Sequence, residues 1–287
     1  MTTPWFALLL RCPQCHQAAP WSDGAPVCSG CSKRFDVFQG SVLVPTGAGS
    51  SDWAAMQEES VERYEDHDYN RDTTIPRLFG GFIAATLDRD DVVLDIGCGI
   101  APDLPPYVAE LGLTRYLGLE PLSTRVERHY PCLVGALVEQ TPLQDRTVDR
   151  LLFATSLDHI EDVPGAMREA RRILKPGGSA YFWVGLNEPE VVARAMAPLH
   201  SWLYKGGVAR RAASLIAPHL VLGRSLAQLG VRSYKMSRGI PLDHAHFRYY
   251  TRASLDEELG DAGFHTVREL LVPGSSSIFL ECATNEH

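Results

Sequence analysis

Residues 92–100 read Val-Val-Leu-Asp-Ile-Gly-Cys-Gly-Ile, an apolar run that passes directly into Asp95 and then into Gly97 and Gly99. Such a run forms a buried strand, and the two glycines let the chain turn sharply and bring backbone close to whatever lies beyond the strand end. Further short apolar runs at 116–119, 151–154 and 180–184 alternate with helical or turn segments. That alternation is the pattern of a parallel sheet covered by helices on both faces. Helices are expected over 75–87 and 163–174, the second stopped by Lys175-Pro-Gly-Gly178, where proline and glycine cannot continue it. Runs at 265–272 and 276–283 flank Pro273-Gly-Ser and read as a closing hairpin. The expected fold class is α/β, doubly wound.

Asp95, Gly97 and Gly99 mark the first strand-to-helix turn, where free N–H groups of the following helix would meet a polar or anionic group. Ala101 and Pro102 stand where the dinucleotide fingerprint carries its third glycine, which lowers the case for a dinucleotide. The run ending at Leu119 is followed by Glu120, an acid that can accept from both hydroxyls of a ribose. Taken singly, Asp95 reads equally as a helix cap and Glu120 as a solvated charge. Their placement at consecutive strand ends points to an adenosine-bearing ligand.

The chain has 287 residues, 45% of them hydrophobic, and a formal charge of -8. It can bury a full core, and nucleic acid would have to meet a local basic face rather than the net field. The early apolar run 5–10 is far short of the roughly 20 residues a spanning helix needs. Cys12, Cys15, Cys28 and Cys31 form two CxxC pairs out of seven cysteines. This spacing closes a four-thiolate structural zinc site and suits the reducing cytoplasm. Cys98, Cys132 and Cys282 read as buried thiols. Residues 1–45 are therefore expected as a zinc-ribbon module too small for its own core, 46–51 as a Gly/Ser linker, and 52–287 as the main domain, opening with a helix over 52–64.

The segments Val-Leu-Asp-Ile-Gly-Cys-Gly, Gly-Leu-Glu-Pro121 and Arg171-Arg-Ile-Leu-Lys-Pro-Gly-Gly178 together resemble class I S-adenosylmethionine-dependent methyltransferases. The resemblance implies a Rossmann-like sheet of seven strands, one antiparallel. It implies the methionine part of S-adenosylmethionine near Asp95, Gly97, Cys98 and Gly99, and the ribose at Glu120 and Pro121. An acidic residue often holds the adenine in that family; here Leu137 stands in its place, leaving Val138 backbone or the Glu139 side chain. The resemblance also brings Thr155, Ser156, Asp158 and His159 beside the sulfur. His159 is the first choice of general base, with packing or capping as its alternative. His246, assisted by Tyr249 or Tyr250, resembles the histidine segment that opens the last helix of many small-molecule and glycan methyltransferases.

Residues 187–242 exceed what a crossover needs and read as a helical lid or insertion. Within 191–242 there are eight Lys or Arg (Arg194, Lys205, Arg210, Arg211, Arg224, Arg232, Lys235, Arg238) and no acid. Such a face suits an anionic or lipid-linked acceptor, RNA, or a dimer contact. The expected activity is O- or N-methylation of a small molecule of glycan or secondary-metabolite type by a monomer or homodimer. The cysteine module with residues 34–45 also resembles the front end of some bacterial ribosomal-RNA guanine methyltransferases, so an RNA base methyltransferase is the alternative. A binding or scaffold protein that keeps the cofactor fold is the third.

Overall fold

The computed structural model describes residues 3–44, 73–122, 127–187 and 246–285. The linker 46–51, the helix expected over 52–64 and the insertion apart from Asn187 lie outside them. The described strands are β1 (Trp21–Ser22), β2 (Ala25–Pro26), β3 (Asp36–Phe38), β4 (Ser41–Leu43), β5 (Val92–Ile96), β6 (Arg115–Glu120), β7 (Cys132–Val134), β8 (Val148–Ala154), β9 (Leu174–Gly185), β10 (Phe264–Leu271) and β11 (Ser277–Thr284). The described α-helices are α1 (Thr74–Ala84), α2 (Val163–Ile173) and α3 (Arg252–Asp261).

Nine strands join one sheet in the order β10-β11-β9-β8-β5-β6-β7-β4-β3. Strands β5 to β11 supply the seven-stranded, mostly parallel sheet, with β11 antiparallel to both β9 and β10. Side chains alternate across it. Val92, Leu94 and Ile96 of β5 join one core with α2, while Val93 joins a second core with Phe79, Phe82 and Ile83 of α1. Each fully buried side chain of this size contributes about 1.5–3 kcal/mol. Helix α2 turns Val163, Ala166, Met167, Ala170 and Ile173 inward at helical spacing, and its N-cap Asp162 accepts from the Gly165 amide at 3.0 Å.

The cysteine unit is not set apart from this core. β4 runs parallel to β7 through Val42 and Leu133, so β3 and β4 lengthen the sheet and cover the β7 edge. Phe6, Leu10, Phe35 and Val42 share the core of α2, and backbone bonds from Arg11 to Pro142 (3.0 Å) and from Gln144 to Leu9 (2.7 Å) tie the unit to the segment before β8. A unit expected to depend on metal alone therefore also shares a hydrophobic core.

One local expectation needs correction, and two local features were not foreseen. No helix follows the glycine turn; residues 101–112 hold a turn over 106–110 and otherwise irregular chain, because Pro102, Pro105 and Pro106 lack the N–H groups a helix would use. The Lys175-Pro-Gly-Gly178 segment ends α2 but opens no loop. β9 begins at Leu174, and the strand bulges between the pairs Leu174–Val148 and Ser179–Arg150, with Gly177 at φ +75°. Strand β7 is too short to stand out as an apolar run.

Candidate functional site

β6 and β8 flank β5 on opposite sides, so the crossovers diverge at its carboxyl end, the position where open α/β sheets bind ligands. Asp95 is fully buried there. Its Oδ2 accepts from the hydroxyls of Tyr107 (2.7 Å) and Tyr116 (2.6 Å), while Oδ1 has no hydrogen-bond partner among the described residues. Burial pushes this carboxyl up to about 6, against the pull of the Tyr116 and Tyr107 hydroxyls. Glu120 is also buried; its Oε2 accepts from the Gly99 amide at 2.7 Å and its Oε1 from the Leu122 amide at 3.0 Å. Burial raises it too, and those amides of Leu122 and Gly99 pull it back.

The glycines are spatial requirements. A Cβ on Gly97 (φ +74°) would lie 2.7 Å from Ser156 Cβ, whereas one on Gly99 (φ +81°) would meet nothing within 4 Å. Gly99 therefore borders open space while its amide is held by Glu120. Two more buried polar groups beside the turn lack partners among the described residues: Ser156 Oγ, and Nε and Nη1 of Arg128. The remaining Arg128 nitrogen, Nη2, donates to the Gly99 carbonyl at 3.2 Å. A buried anion and a buried cation with unused capacity flank one glycine turn, which fits a ligand carrying both charges. Thr155, the residue directly after β8, holds φ +57°, a strained conformation for a β-branched residue.

Val138 and Glu139 lie in the 3-10 turn Val138–Gln140 after β7; Val138 is buried and burial raises the Glu139 carboxyl. Pro121 follows β6 directly. The Cys98 side chain turns into the core, where its Sγ lies 3.8 Å from that of Cys132.

On the β8 side, Asp158 and His159 sit in the 3-10 turn Leu157–His159. His246 reaches them from far along the chain: its ring centroid is 4.6 Å from that of His159, and its Nε2 is 3.7 Å from Asp158 Oδ2. Tyr249 packs on His246 with centroids 5.7 Å apart. Tyr250 does not join this cluster. It is buried, and its hydroxyl donates to Glu258 of α3 at 2.5 Å, which occupies the group a catalytic phenol would need.

Cys12, Cys15, Cys28 and Cys31 converge, all four Sγ atoms lying within 4.8 Å of one another. The Cys12–Cys31 and Cys15–Cys28 separations are 3.8 and 3.2 Å; Zn–S bonds of about 2.3 Å in a tetrahedron set thiolates about 3.8 Å apart. The Gly30 and Cys31 amides donate to Cys28 Sγ at 3.3 and 3.4 Å, which stabilises a thiolate there. Sequence reasoning missed Arg128, Tyr107 and Tyr116. An arginine and two tyrosines carry no motif, and only the folded chain turns them toward Gly99 and Asp95.

Residues 67–269 match a family model described as a methyltransferase domain. A curated relative from Danio rerio, "Arginine-hydroxylase NDUFAF5, mitochondrial", is 30% identical over 133 residues, which is 45% of this chain and 37% of that protein. The malonyl-(acyl-carrier protein) O-methyltransferase of Marinomonas sp. (strain MWYL1) is 29% identical over 136 residues, 39% of this chain and 49% of that protein. The matches thus span less than half the length of these relatives. Among solved structures, the Burkholderia thailandensis 1,6-didemethyltoxoflavin-N1-methyltransferase, with bound 1,6-didemethyltoxoflavin and S-adenosylhomocysteine, covers 92% of this chain and 100% of its own, at 16% identity and a TM-score of 0.52. At that identity the likeness speaks to fold alone.

Proposed function

This chain belongs to the methyltransferase-domain family and has the class I S-adenosylmethionine-dependent methyltransferase fold, and from that premise we propose that it methylates a small-molecule acceptor at oxygen or nitrogen. The observation that carries the reading is the pair of buried opposite charges at the glycine turn, Asp95 Oδ1 and Arg128 Nε and Nη1, each without a partner among the described residues. An amino acid ammonium and carboxylate would satisfy them. Glu120 keeps lone pairs for the ribose hydroxyls beyond the two amides it already accepts from. Val138 and Glu139 border the adenine, and Thr155 and Ser156 line the path between cofactor and acceptor.

S-adenosylmethionine supplies an activated methyl group on a sulfonium centre. The chain's own task is to hold the acceptor in line and to handle the proton that an acceptor hydroxyl gives up. Asp158, His159 and His246 are assigned to that task. The four cysteines hold a structural zinc ion, with no ligand position left open for chemistry, and the cytoplasm keeps their thiols reduced. Among the described residues no helix is long and apolar enough to cross a membrane.

The test is calorimetric titration of the zinc-loaded chain with S-adenosylmethionine, repeated on Asp95→Ala and Glu120→Ala. Saturable one-site binding weakened in both variants is expected, by about 2–5 kcal/mol for each lost buried charge partner. Absence of wild-type binding overturns the assignment. One relative is named a hydroxylase, and a fold does not dictate its chemistry. Transfer must therefore be read from the methyl group itself, by product mass with labelled cofactor.

A further inference from the structure

Asp158, His159 and His246 present one ligand atom each, all within 4.8 Å of one another. His159 Nε2 stands 3.9 Å from Asp158 Oδ1, and His246 Nε2 stands 3.7 Å from Asp158 Oδ2. Ligands about 2.1 Å from a shared tetrahedral ion lie about 3.4 Å from one another. Small rotations of three part-exposed side chains close that difference. The imidazole planes are inclined by 33° with centroids 4.6 Å apart, so both rings stand on the same side of the turn.

The two segments that carry them are tied together by backbone. The Phe247 amide donates to the Asp158 carbonyl at 2.9 Å, and Arg248 Nη1 donates to the carbonyls of Ile160 (2.9 Å) and Glu161 (3.1 Å). Arg248 is in turn held by Glu258 of α3 at 3.4 Å. His246 is thus positioned over Asp158 by contacts that do not involve its own ring. Imidazole nitrogen and carboxylate oxygen are the donors that first-row divalent ions accept, and two histidines with one carboxylate leave coordination positions open. The cysteine cluster offers four thiolates and leaves none.

We infer that Asp158, His159 and His246 bind one divalent first-row transition-metal ion, and that the acceptor hydroxyl is ionised by coordinating to it. The O–H bond of the bound acceptor breaks and its proton passes to solvent. The alkoxide oxygen then forms the new C–O bond as the methyl carbon leaves sulfur, giving the methyl ether and the thioether product. The metal site stands on geometry alone, whereas its use in ionising the acceptor rests on the methyl-transfer reading.

The experiment adds cobalt(II) to the full-length chain after its cysteines have been loaded with zinc. The expected result is one further metal ion per chain by calorimetry, with ligand-field absorption and without thiolate-to-cobalt charge transfer. Asp158→Ala and His246→Ala should each weaken it by more than about a hundredfold, beyond the 10–100-fold typical of residues outside the coordination shell. His246→Gln, which keeps the bulk of the side chain, must behave as His246→Ala if the effect is ligand loss rather than misfolding. No cobalt uptake, a thiolate charge-transfer band alone, or uptake indifferent to the substitutions would overturn the metal site. S-adenosylmethionine is titrated into the same preparation. Cofactor binding without cobalt binding removes the metal and leaves the methyl-transfer reading; cobalt binding without cofactor binding does the reverse.

Discussion

At the carboxyl ends of β5 and β6, Asp95 and Glu120 retain 0% and 3% of their exposure; beside β8, the side chains of Asp158, His246 and His159 retain 22%, 28% and 38%. The first group is sealed into the core and carries charge that protein contacts only partly satisfy. The second is reached by solvent and sits on a turn and an incoming segment rather than on a strand. The proposed cofactor end is thus preorganised at a cost in stability, while the proposed acceptor end can change its side chains with little effect on the fold.

The largest expected effect sharpens that contrast from the exposed side. Asp158→Ala and His246→Ala should lower methyl transfer by about 10²–10⁴, the range for loss of proton handling, while urea midpoints move by no more than about 0.5 kcal/mol of stability. Steady-state kinetics and unfolding on the same samples check both halves. A destabilisation comparable with the loss of activity would mean that the acceptor end is structural after all.

Asp95→Asn probes the buried side. The folded carboxyl titrates at about 6 against an ordinary 3.8 because it is desolvated, so the folded state holds the proton more tightly than the unfolded one. Its contribution to stability is full below about pH 4 and is lost as pH rises through 6. The neutral isostere removes that loss. In cofactor-free protein, Asp95→Asn should therefore exceed wild type by about 3 kcal/mol at pH 8 and match it near pH 4. Denaturant unfolding at the two pH values is the measurement, and a gain that does not vary with pH would assign the effect to packing instead.

The smallest effect concerns Thr155, the residue between β8 and the turn that carries Asp158 and His159. Thr155 sits at φ +57° with its amide bonded to the Trp183 carbonyl at 2.9 Å. Thr155→Gly should raise stability by about 1 kcal/mol, the left-handed strain relieved less the entropy glycine adds to the unfolded chain. A thermal melt that falls would show that the threonine side chain contributes more than its backbone costs.

Legibility followed the range of the interactions. The strand-to-glycine run at 92–100, the acid after β6 and the two CxxC pairs were readable because each depends on neighbours in sequence. β7 was not, since three residues give no period to detect and its strand identity comes from pairing with β6 and β4. The expected helix after Gly99 does not form because Pro102, Pro105 and Pro106 withhold the N–H groups it would need, a local signal that the reading of the strand-to-helix turn passed over. Tyr250 read as a partner of His246, yet its position just before α3 sends the phenol to Glu258.

The sequence by itself determined the doubly wound class, the glycine turn with Asp95 and Glu120, and the four members of the cysteine cluster, because backbone conformation and the spacing within each CxxC pair are local constraints. Only the tertiary structure decided that the cysteine unit extends the sheet and shares its core, that Arg128 bonds the Gly99 carbonyl at the turn, and that His246 meets Asp158 and His159. Those contacts join residues distant in sequence, and burial and charge pairing act through space, where the order of the chain carries no record of them.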